Sequence, residues 1–193
     1  MYQGLRLSFV ALYAVGPVVA LLAWLRRRAG TGPAQYQAKG WRWHVPTILL
    51  PIEWLLPPVL LLLGVGEIQA EWLPVRLLGF AVSLCGAVML VWAALALGRF
   101  LVHEATVFQD HNLITSGPYR FVRHPIYSGY LALLLGSGVG MLNVCLLLLW
   151  PLSLFGILIQ AKSEEQLLGS KFAECYKGYA GRTGRLLPRF WGR

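Results

Sequence analysis

Five long apolar blocks, separated by polar connections, are the feature that most constrains the fold of this chain. They are Leu5–Leu25, Val45–Gly64, Leu73–Leu97, Ile126–Gly140 and Leu142–Ile159. A helix crosses the hydrocarbon core of a bilayer with about 20 apolar residues. Of the 193 residues, 57% are hydrophobic and 13% are charged, whereas an average soluble domain has about 25% charged residues. The sequence therefore predicts an integral membrane protein.

The arrangement of the blocks predicts an all-α, polytopic membrane bundle of about five transmembrane helices in a single domain, 1–193. Residues 1–97 would hold three spans. Residues 98–193 would form a second region with a helical hairpin, a polar loop and a C-terminal helical tail. The hairpin follows because barely a turn separates the last two blocks. From Gln160 onward, apolar residues recur at three- and four-residue spacing, which predicts an amphipathic helix in the tail.

Two features inside the apolar blocks need an interpretation. Gly136, Gly138 and Gly140 are spaced like the glycines of a nucleotide-binding loop, but no strand precedes them, so we expect close helix packing instead. Glu53 lies inside the proline-rich second block, and an acid within a membrane segment is a functional candidate. It can equally lie near a helix end or face a turn opened by proline, and both interpretations stay open.

The distribution of lysine and arginine predicts the orientation. With five spans, 15 of the 17 Lys and Arg residues fall on one side of the membrane, and only Arg6 and Arg76 fall on the other. Because positively charged connections stay in the cytoplasm, we expect an outside N-terminus and a cytoplasmic C-terminus in a multi-pass protein of a bacterial or archaeal-type cytoplasmic membrane. The Gly98–Pro125 connection and the tail would then meet at the cytoplasmic face and form the active site there.

The composition also argues against several kinds of partner. The net charge of +9 does not predict nucleic-acid binding, because the basic residues form no patch interleaved with aromatic residues. They fit topology signals and contacts with membrane lipids better. The three cysteines have no metal-ligand spacing, and His103 and His111 lack convincing metal partners, so we predict no metal. No obligatory protein partner is evident.

The start of the fourth block has the features of an anion-binding site. Pro125 suits the first position of a helix, where its missing N–H costs nothing. The free amides of Ile126, Tyr127 and Ser128 would then point into the cytoplasmic interface, where a helix start can hold a carboxylate.

Other polar and aromatic side chains would surround this helix start. Arg123 and His124 precede it, Tyr119 and Tyr127 can form aromatic walls, and Glu164 follows in the tail helix. A ligand with a carboxylate, an ammonium and an adenine ring would find a partner for each group, and a sulfonium cation would gain from the tyrosine faces. Each residue alone has a plainer interpretation: a topology marker, a helix cap, interfacial aromatics or a solvated acid. The ordered combination favours a site.

That combination resembles a known family. The segment HNLITSGPYRFVRHPIYSG, 111–129, followed by a hydrophobic hairpin, by EEQLL and by TGRLLP, is similar to the isoprenylcysteine carboxyl methyltransferase family and to the related membrane phospholipid methyltransferases. The resemblance extends from about Glu104 to Pro188 and implies S-adenosyl-L-methionine as the cofactor. It also implies that residues 98–193 are the catalytic region and that its cytoplasmic loop is the cofactor-binding loop. The cofactor-binding residues that we predict are His111, Asn112, Leu113, Ile114, Gly117, Tyr119, His124, Pro125, Ile126, Tyr127 and Glu164. As catalytic residues we predict Arg123, His124 and Glu164.

Two positions depart from the family pattern. A cofactor-contacting glutamine of the animal enzymes is matched by Glu104, and an arginine associated with the substrate carboxylate is matched by Gln160. We therefore expect Gln160 to bind the substrate and the chain to prefer a lipophilic acceptor other than a prenylcysteine acid.

These observations favour a methyltransferase that uses S-adenosylmethionine on a lipophilic small-molecule or lipid substrate. Within that class, a phosphatidylethanolamine-type N-methyltransferase is the first alternative. A membrane sterol-type reductase that uses NADPH is a second, because such reductases share a related C-terminal pattern. A non-catalytic membrane scaffold is a third, but it gives no reason for combining Arg123-His124-Pro125 with Glu164.

Overall fold

The computed structural model describes residues 2–28, 34–37, 41–98, 106–108 and 113–189, and most of these residues are helical. The helices are α1 Gln3–Leu12, α2 Val15–Arg28, α3 Trp41–Leu63, α4 Leu73–Leu97, α5 Pro125–Gly140 and α6 Val144–Arg182. A 3-10 helix spans Gly117–Arg120, and two short strands, β1 Ala34–Gln37 and β2 Thr106–Phe108, pair in antiparallel orientation. The predicted all-helical bundle is confirmed, with this one strand pair added in its connections.

Three helical stretches in the described part of the chain are long and apolar enough to cross a membrane. They are Gln3–Leu25, Leu73–Leu97 and Val144–Arg182, while Ile52–Leu63 is a shorter apolar helix. The first stretch combines α1 and most of α2, which are separated by a turn at positions 13 and 14. The chain is thus an integral membrane protein as predicted, and the number of five spans stays a prediction.

Helices α4 and α5 pack with their backbones in contact. A Cβ atom on Gly79 would lie 2.2 Å from the nitrogen of Gly140, and one on Gly136 would lie 2.5 Å from the carbonyl oxygen of Gly79. Ser83 donates a hydrogen bond to the carbonyl of Leu133 at 3.1 Å across the same interface. Small residues are needed wherever membrane helices approach this closely, so the expected role of the glycines in helix packing is confirmed.

A buried ion-pair cluster, Arg6–Glu67–Arg76, lies at the end of the bundle where the α3–α4 connection meets the α5–α6 turn. The Glu67 carboxylate is 2.5 Å from Arg6 Nη2 and 3.5 Å from Arg76 Nη1. Arg76 also donates hydrogen bonds to the carbonyls of Ala70 and Gly140. Asn143 caps α6 by accepting from the amide of Leu146. These contacts join the two connections at this end of the bundle.

The tail bends back toward the start of α5 at the opposite end. Helix α6 is kinked at Ala173, whose backbone has a φ of 39° and a ψ of −115°. Beyond the kink, the Tyr179 hydroxyl donates to the carbonyl of Tyr119 at 2.7 Å. The following segment, 183–187, runs alongside 122–124, and the amide of His124 donates to the carbonyl of Arg185 at 3.1 Å. The tail therefore covers the helix start that the sequence predicted as a site.

Candidate active site

The start of α5 is at Pro125, as predicted, and His124 is the N-terminal flanking residue. The prediction that the Ser128 amide is free is wrong, because this amide donates to the carbonyl of His124 at 3.0 Å, inside the first turn. The Ser128 hydroxyl donates to the carbonyl of Leu186 at 2.5 Å. Ser128 thus joins the helix start to the tail.

The imidazole of His124 is buried between two carboxylates of α6. Its Nδ1 lies 3.4 Å from a Glu164 oxygen, and its Nε2 lies 3.3 Å from a Glu165 oxygen. A neutral imidazole donates from one nitrogen only, whereas the imidazolium donates from both. Burial lowers the pKa of His124, but Glu164 and Glu165 outweigh burial and raise it above its ordinary value. The two carboxylates around His124 therefore favour the imidazolium, which can donate to both acids.

Glu164 is the acid of this site that is more open to a ligand. Tyr127 donates a hydrogen bond from its hydroxyl to Glu164 Oε1, and Gln160 Nε2 donates to the same oxygen at 3.4 Å. The Tyr127 ring stacks on the His124 ring, with centroids 5.4 Å apart. Glu164 is 24% exposed, against 13% for Glu165. Four residues predicted from two separate parts of the sequence, His124, Tyr127, Gln160 and Glu164, thus meet in one place.

Tyr119 contributes from the 3-10 helix. Burial, and then the nearby charge of Glu164, raise the pKa of Tyr119 well above its ordinary value, so its hydroxyl keeps its proton. Gly117 begins this 3-10 helix with a φ of 60°, and a Cβ there would lie 3.3 Å from that of Ala96 on α4. Glycine is therefore suited to this position both by conformation and by space.

Glu165 is the central residue that the sequence did not single out. Its carboxylate accepts hydrogen bonds from Arg123 Nε at 2.8 Å and from Arg185 Nη2 at 2.6 Å. Burial raises the pKa of Glu165, but hydrogen bonds from His124, Arg185 and Arg123 outweigh burial and lower it far below its ordinary value. Two adjacent glutamates followed by an arginine-bearing tail motif were the only signal for this network in the sequence.

Arg123 faces the tail. Besides Glu165, its guanidinium donates to the carbonyls of Ala180 at 2.9 Å and Thr183 at 2.5 Å. These contacts leave Arg123 as a support for the tail and for Glu165, and its predicted catalytic role stays a prediction.

The remaining predicted residues are placed as follows. His111, Asn112 and Glu104 lie outside the described residues. Leu113 and Ile114 are half-buried in the segment before the 3-10 helix, Pro125 is buried, and Ile126 packs against the bundle core. Their predicted contacts with a cofactor stay predictions. Among the described residues, no group of three His, Cys, Asp or Glu side chains could hold a metal ion, and the expectation of no metal also stays a prediction.

The charges of the site divide into two functional parts. Arg123 and Arg185 both pair with Glu165 in a supporting network that includes one face of His124. Glu164 is held by hydrogen-bond donors and keeps part of its surface exposed. Such a carboxylate can pair with an ammonium group or a hydroxyl of a ligand, and the neighbouring tyrosine faces can stabilise a cation.

Comparisons with known proteins agree with the predicted resemblance. The model of the Isoprenylcysteine carboxyl methyltransferase (ICMT) family matches residues 77–170, from α4 to α6. A probable protein-S-isoprenylcysteine O-methyltransferase of Oryza sativa subsp. indica is 31% identical over 125 residues, which cover 63% of this chain and 65% of that protein. A cobalt-zinc-cadmium resistance protein of Cupriavidus metallidurans is 30% identical over 137 residues, which cover 67% of this chain and 57% of that protein.

A solved structure has the same fold. It is the eukaryotic intramembrane Ras methyltransferase ICMT, which matches with a TM-score of 0.54 and 20% sequence identity over 90% of this chain and 52% of that chain. This chain thus spans less than two thirds of the length of the rice protein and about half of the solved chain. The matched region, residues 77–170, contains the 3-10 helix, α5 and both glutamates of the site, and it is similar to the isoprenylcysteine carboxyl methyltransferase family.

Proposed function

We propose that this protein is a membrane methyltransferase that uses S-adenosylmethionine and methylates a lipophilic acceptor. The observation that carries the proposal is Glu164, which is held by Tyr127, Gln160 and His124 inside the region that matches the family. This group of side chains fits the proposed cofactor. Glu164 can accept from its ammonium or ribose hydroxyls, and the tyrosine faces favour its sulfonium.

Methyl transfer from a sulfonium requires positioning of the acceptor more than activation of the methyl donor. When bound, S-adenosylmethionine supplies a methyl group on a sulfonium sulfur, which leaves with the bonding electron pair as a lone pair of the acceptor bonds to the methyl carbon. The protein has to align the acceptor with the methyl group and exclude water. The docked tail, held by Arg123 and Glu165, covers the helix start and can serve this purpose.

An acceptor that carries a proton, such as an amine, would also need a base. His124 is unsuited to this role because both of its nitrogens face carboxylates and its pKa is raised. Glu164 is the better candidate, since it is held by Tyr127 and Gln160 and remains partly exposed. We therefore assign His124 to holding the two acids and Glu164 to the ligand.

The experiment that tests the proposal is transfer of a radiolabelled methyl group from S-adenosylmethionine into a total lipid extract, with identification of the labelled product. Binding of S-adenosylmethionine and of NADPH to the detergent-solubilised protein is measured in parallel. We expect labelled lipid and binding of S-adenosylmethionine only. Binding of NADPH without methyl transfer would favour the reductase and refute the proposal.

The acceptor class is proposed from Gln160. Its amide donates to Glu164, and a neutral amide offers no counter-charge to an entering carboxylate, which is costly to bury unpaired. We infer that an amine or hydroxyl acceptor is preferred to a prenylcysteine acid, although the rice relative is named for isoprenylcysteine. Turnover of a farnesylated cysteine acid by wild type and by Gln160→Arg tests this inference. We expect a large gain in the variant, and efficient wild-type turnover without a gain would contradict it.

The orientation is proposed from the charge distribution alone, with the N-terminus outside and the site in the cytoplasm. Reporter fusions at Gly66 and after Arg193 should report opposite sides of the membrane. If both report the cytoplasm, the number of five spans is wrong.

A further inference from the structure

A second group of polar side chains lies inside the bundle, away from the candidate active site. We call Tyr13, Glu53, Tyr130 and Ser153 the intramembrane cluster. Tyr13 lies between α1 and α2, and the other three come from α3, α5 and α6. The Tyr130 hydroxyl donates to the backbone carbonyl of Glu53 at 3.2 Å, and the Ser153 hydroxyl lies beside both the Glu53 carboxyl and the Tyr130 hydroxyl.

Two hydroxyl groups of the intramembrane cluster have no hydrogen-bond partner in the described part of the chain. They belong to Tyr13 and Ser153, whose residues are only 3% and 1% exposed. Burying a hydroxyl without a hydrogen bond is unfavourable, and a buried group of this kind calls for an explanation such as a ligand or an ordered water. The Ser153 hydroxyl lies beside the Glu53 carboxyl, and the rings of Tyr13 and Tyr130 both pack on Trp54. Two unpaired hydroxyls within one group of polar side chains indicate a binding site.

The intramembrane cluster can be reached from the lipid. Glu53 is half-buried, while its neighbours Ile52 and Leu55 on α3 are 50% and 65% exposed on the outer surface of the bundle. Glu53 lies ten residues before the end of α3, or about 15 Å along the helix axis, which is about half the thickness of a hydrocarbon core. A lipophilic molecule in the bilayer can therefore approach the cluster from the side.

The cluster is also aligned with the candidate active site. Gln160 and Glu164 follow Ser153 by seven and eleven residues on α6, so all three lie on one face of the helix. The distance from Ser153 to Gln160 along the axis is about 10 Å. On α5, Tyr130 follows Tyr127 by three residues. An extended molecule with one end at Gln160 can thus reach the cluster along these two helices.

We propose that the intramembrane cluster binds a second polar group of the lipophilic acceptor, a hydroxyl or an amine, about 10 Å from the atom that is methylated. The position of the methylated end rests on the proposed function. A hydroxyl or an amine can donate to the Glu53 carboxyl and accept from or donate to the hydroxyls of Tyr13 and Ser153. A plain hydrocarbon chain would leave these groups unpaired.

The test compares two probes, farnesylamine and an analogue with one hydroxyl on the prenyl chain about 10 Å from the nitrogen. Equilibrium binding is measured without methyl donor. We expect wild type to bind the hydroxylated probe about tenfold more tightly. The preference should disappear in Ser153→Ala and in Tyr13→Phe. It should persist in Ser163→Ala, which removes a hydroxyl of the same helix that bonds only to the carbonyl of Ile159 in the described residues.

Thermal unfolding supplies a second readout. Without ligand, Ser153→Ala and Tyr13→Phe should unfold at the same or a higher temperature than wild type, because each removes an unpaired buried hydroxyl. Equal binding of the two probes by wild type, or a preference that survives in both variants, would overturn the proposal, and this is the result expected if water alone pairs with the cluster. Because the comparison needs no methyl transfer, failure of the proposed function is detected separately by the lipid-labelling experiment.

Discussion

At each end of the helical bundle a glutamate lies between two arginines, but the two glutamates have different neighbours. Glu67 lies between Arg6 and Arg76, with Arg76 completely buried and bonded to backbone carbonyls. Glu165 lies between Arg123 and Arg185, and it also faces His124. The first cluster joins two connections of the bundle. The second supports a histidine whose other nitrogen faces the partly exposed Glu164.

The difference teaches that an ion-pair cluster by itself does not indicate a site. At the Arg6–Glu67–Arg76 cluster the Glu67 carboxylate pairs with both arginines, and its side chain is 3% exposed. At the other end, the supporting network leaves Glu164 held by donors with a quarter of its side chain exposed. A ligand can bind where one charged group remains accessible while its neighbours fix its position.

Removal of the central acid at each end should have the largest effect. Glu67→Ala and Glu165→Ala each leave two arginines without their counter-ion, which we expect to cost about 3 kcal/mol of stability when the pair is buried. Only Glu165→Ala should also abolish binding of S-adenosylmethionine, because it frees His124 and the tail. Thermal unfolding and calorimetric binding of both variants check this. Loss of binding in Glu67→Ala at a temperature where the variant is folded would refute the division between the two ends.

Substitutions in the candidate active site should affect ligand binding and leave the bundle folded. Glu164→Ala and His124→Ala should each weaken binding of S-adenosylmethionine tenfold or more, because losing a hydrogen bond to a charged group costs about 1.5–3 kcal/mol. Glu174→Ala is the matched control, since Glu174 is an exposed acid of the same helix that pairs with Lys177. Calorimetry gives the affinities, and unchanged affinity in both site variants would remove the reason to place the cofactor here.

The two ends should also differ in their response to pH. The pKa of His124 is raised, so its contribution to tail docking is full below about pH 6.5 and is lost as the pH rises through the folded-state value. The pKa of Glu165 is lowered, so its contribution is present above its ordinary value and is lost as the pH falls through the folded-state value. The Arg6–Glu67–Arg76 cluster has no histidine. Proteolysis of the tail should therefore increase at alkaline pH in wild type and not in a His124→Gln variant, which lacks the imidazole that titrates in this range.

The smallest effect concerns the kink that turns the tail toward the site. Ala173 has a positive φ, a conformation that glycine adopts at less cost. Ala173→Gly should raise stability by about 0.5–1 kcal/mol, whereas Ala180→Gly, at a helical position of the same tail, should lower it by a similar amount. Thermal unfolding of the two variants tests the kink, and a loss of stability in both would contradict it.

The sequence predicted most of the helices because apolar blocks and polar connections alternate so clearly. The helices α3, α4 and α5 fall on the predicted blocks, and α6 combines the last block with the predicted tail helix. The break between α1 and α2 was not predicted, because no residue between Phe9 and Leu25 other than Gly16 and Pro17 interrupts the apolar pattern. The paired strands were not predicted either, since two short segments far apart in sequence carry no joint signal.

Part of the site could also be predicted from the sequence. His124, Tyr127 and Glu164 were selected from local chemistry and from the resemblance, and the fold brings them together with Gln160. Glu165 was overlooked because a glutamate next to another glutamate looks like part of a solvated helix face. Its importance depends on Arg123 and Arg185, which lie 42 and 20 residues away in the sequence.

The sequence by itself determined that this chain is a membrane bundle, where its helices lie and which region resembles a methyltransferase, because these properties depend on local composition and on residue order. Only the tertiary structure decided which charges neutralise one another. The kink at Ala173 turns the tail onto the start of α5, so Arg123 supports the tail while Glu164 stays partly exposed. Ion pairs form between side chains that the fold brings within a few ångströms, and sequence distance does not report that separation.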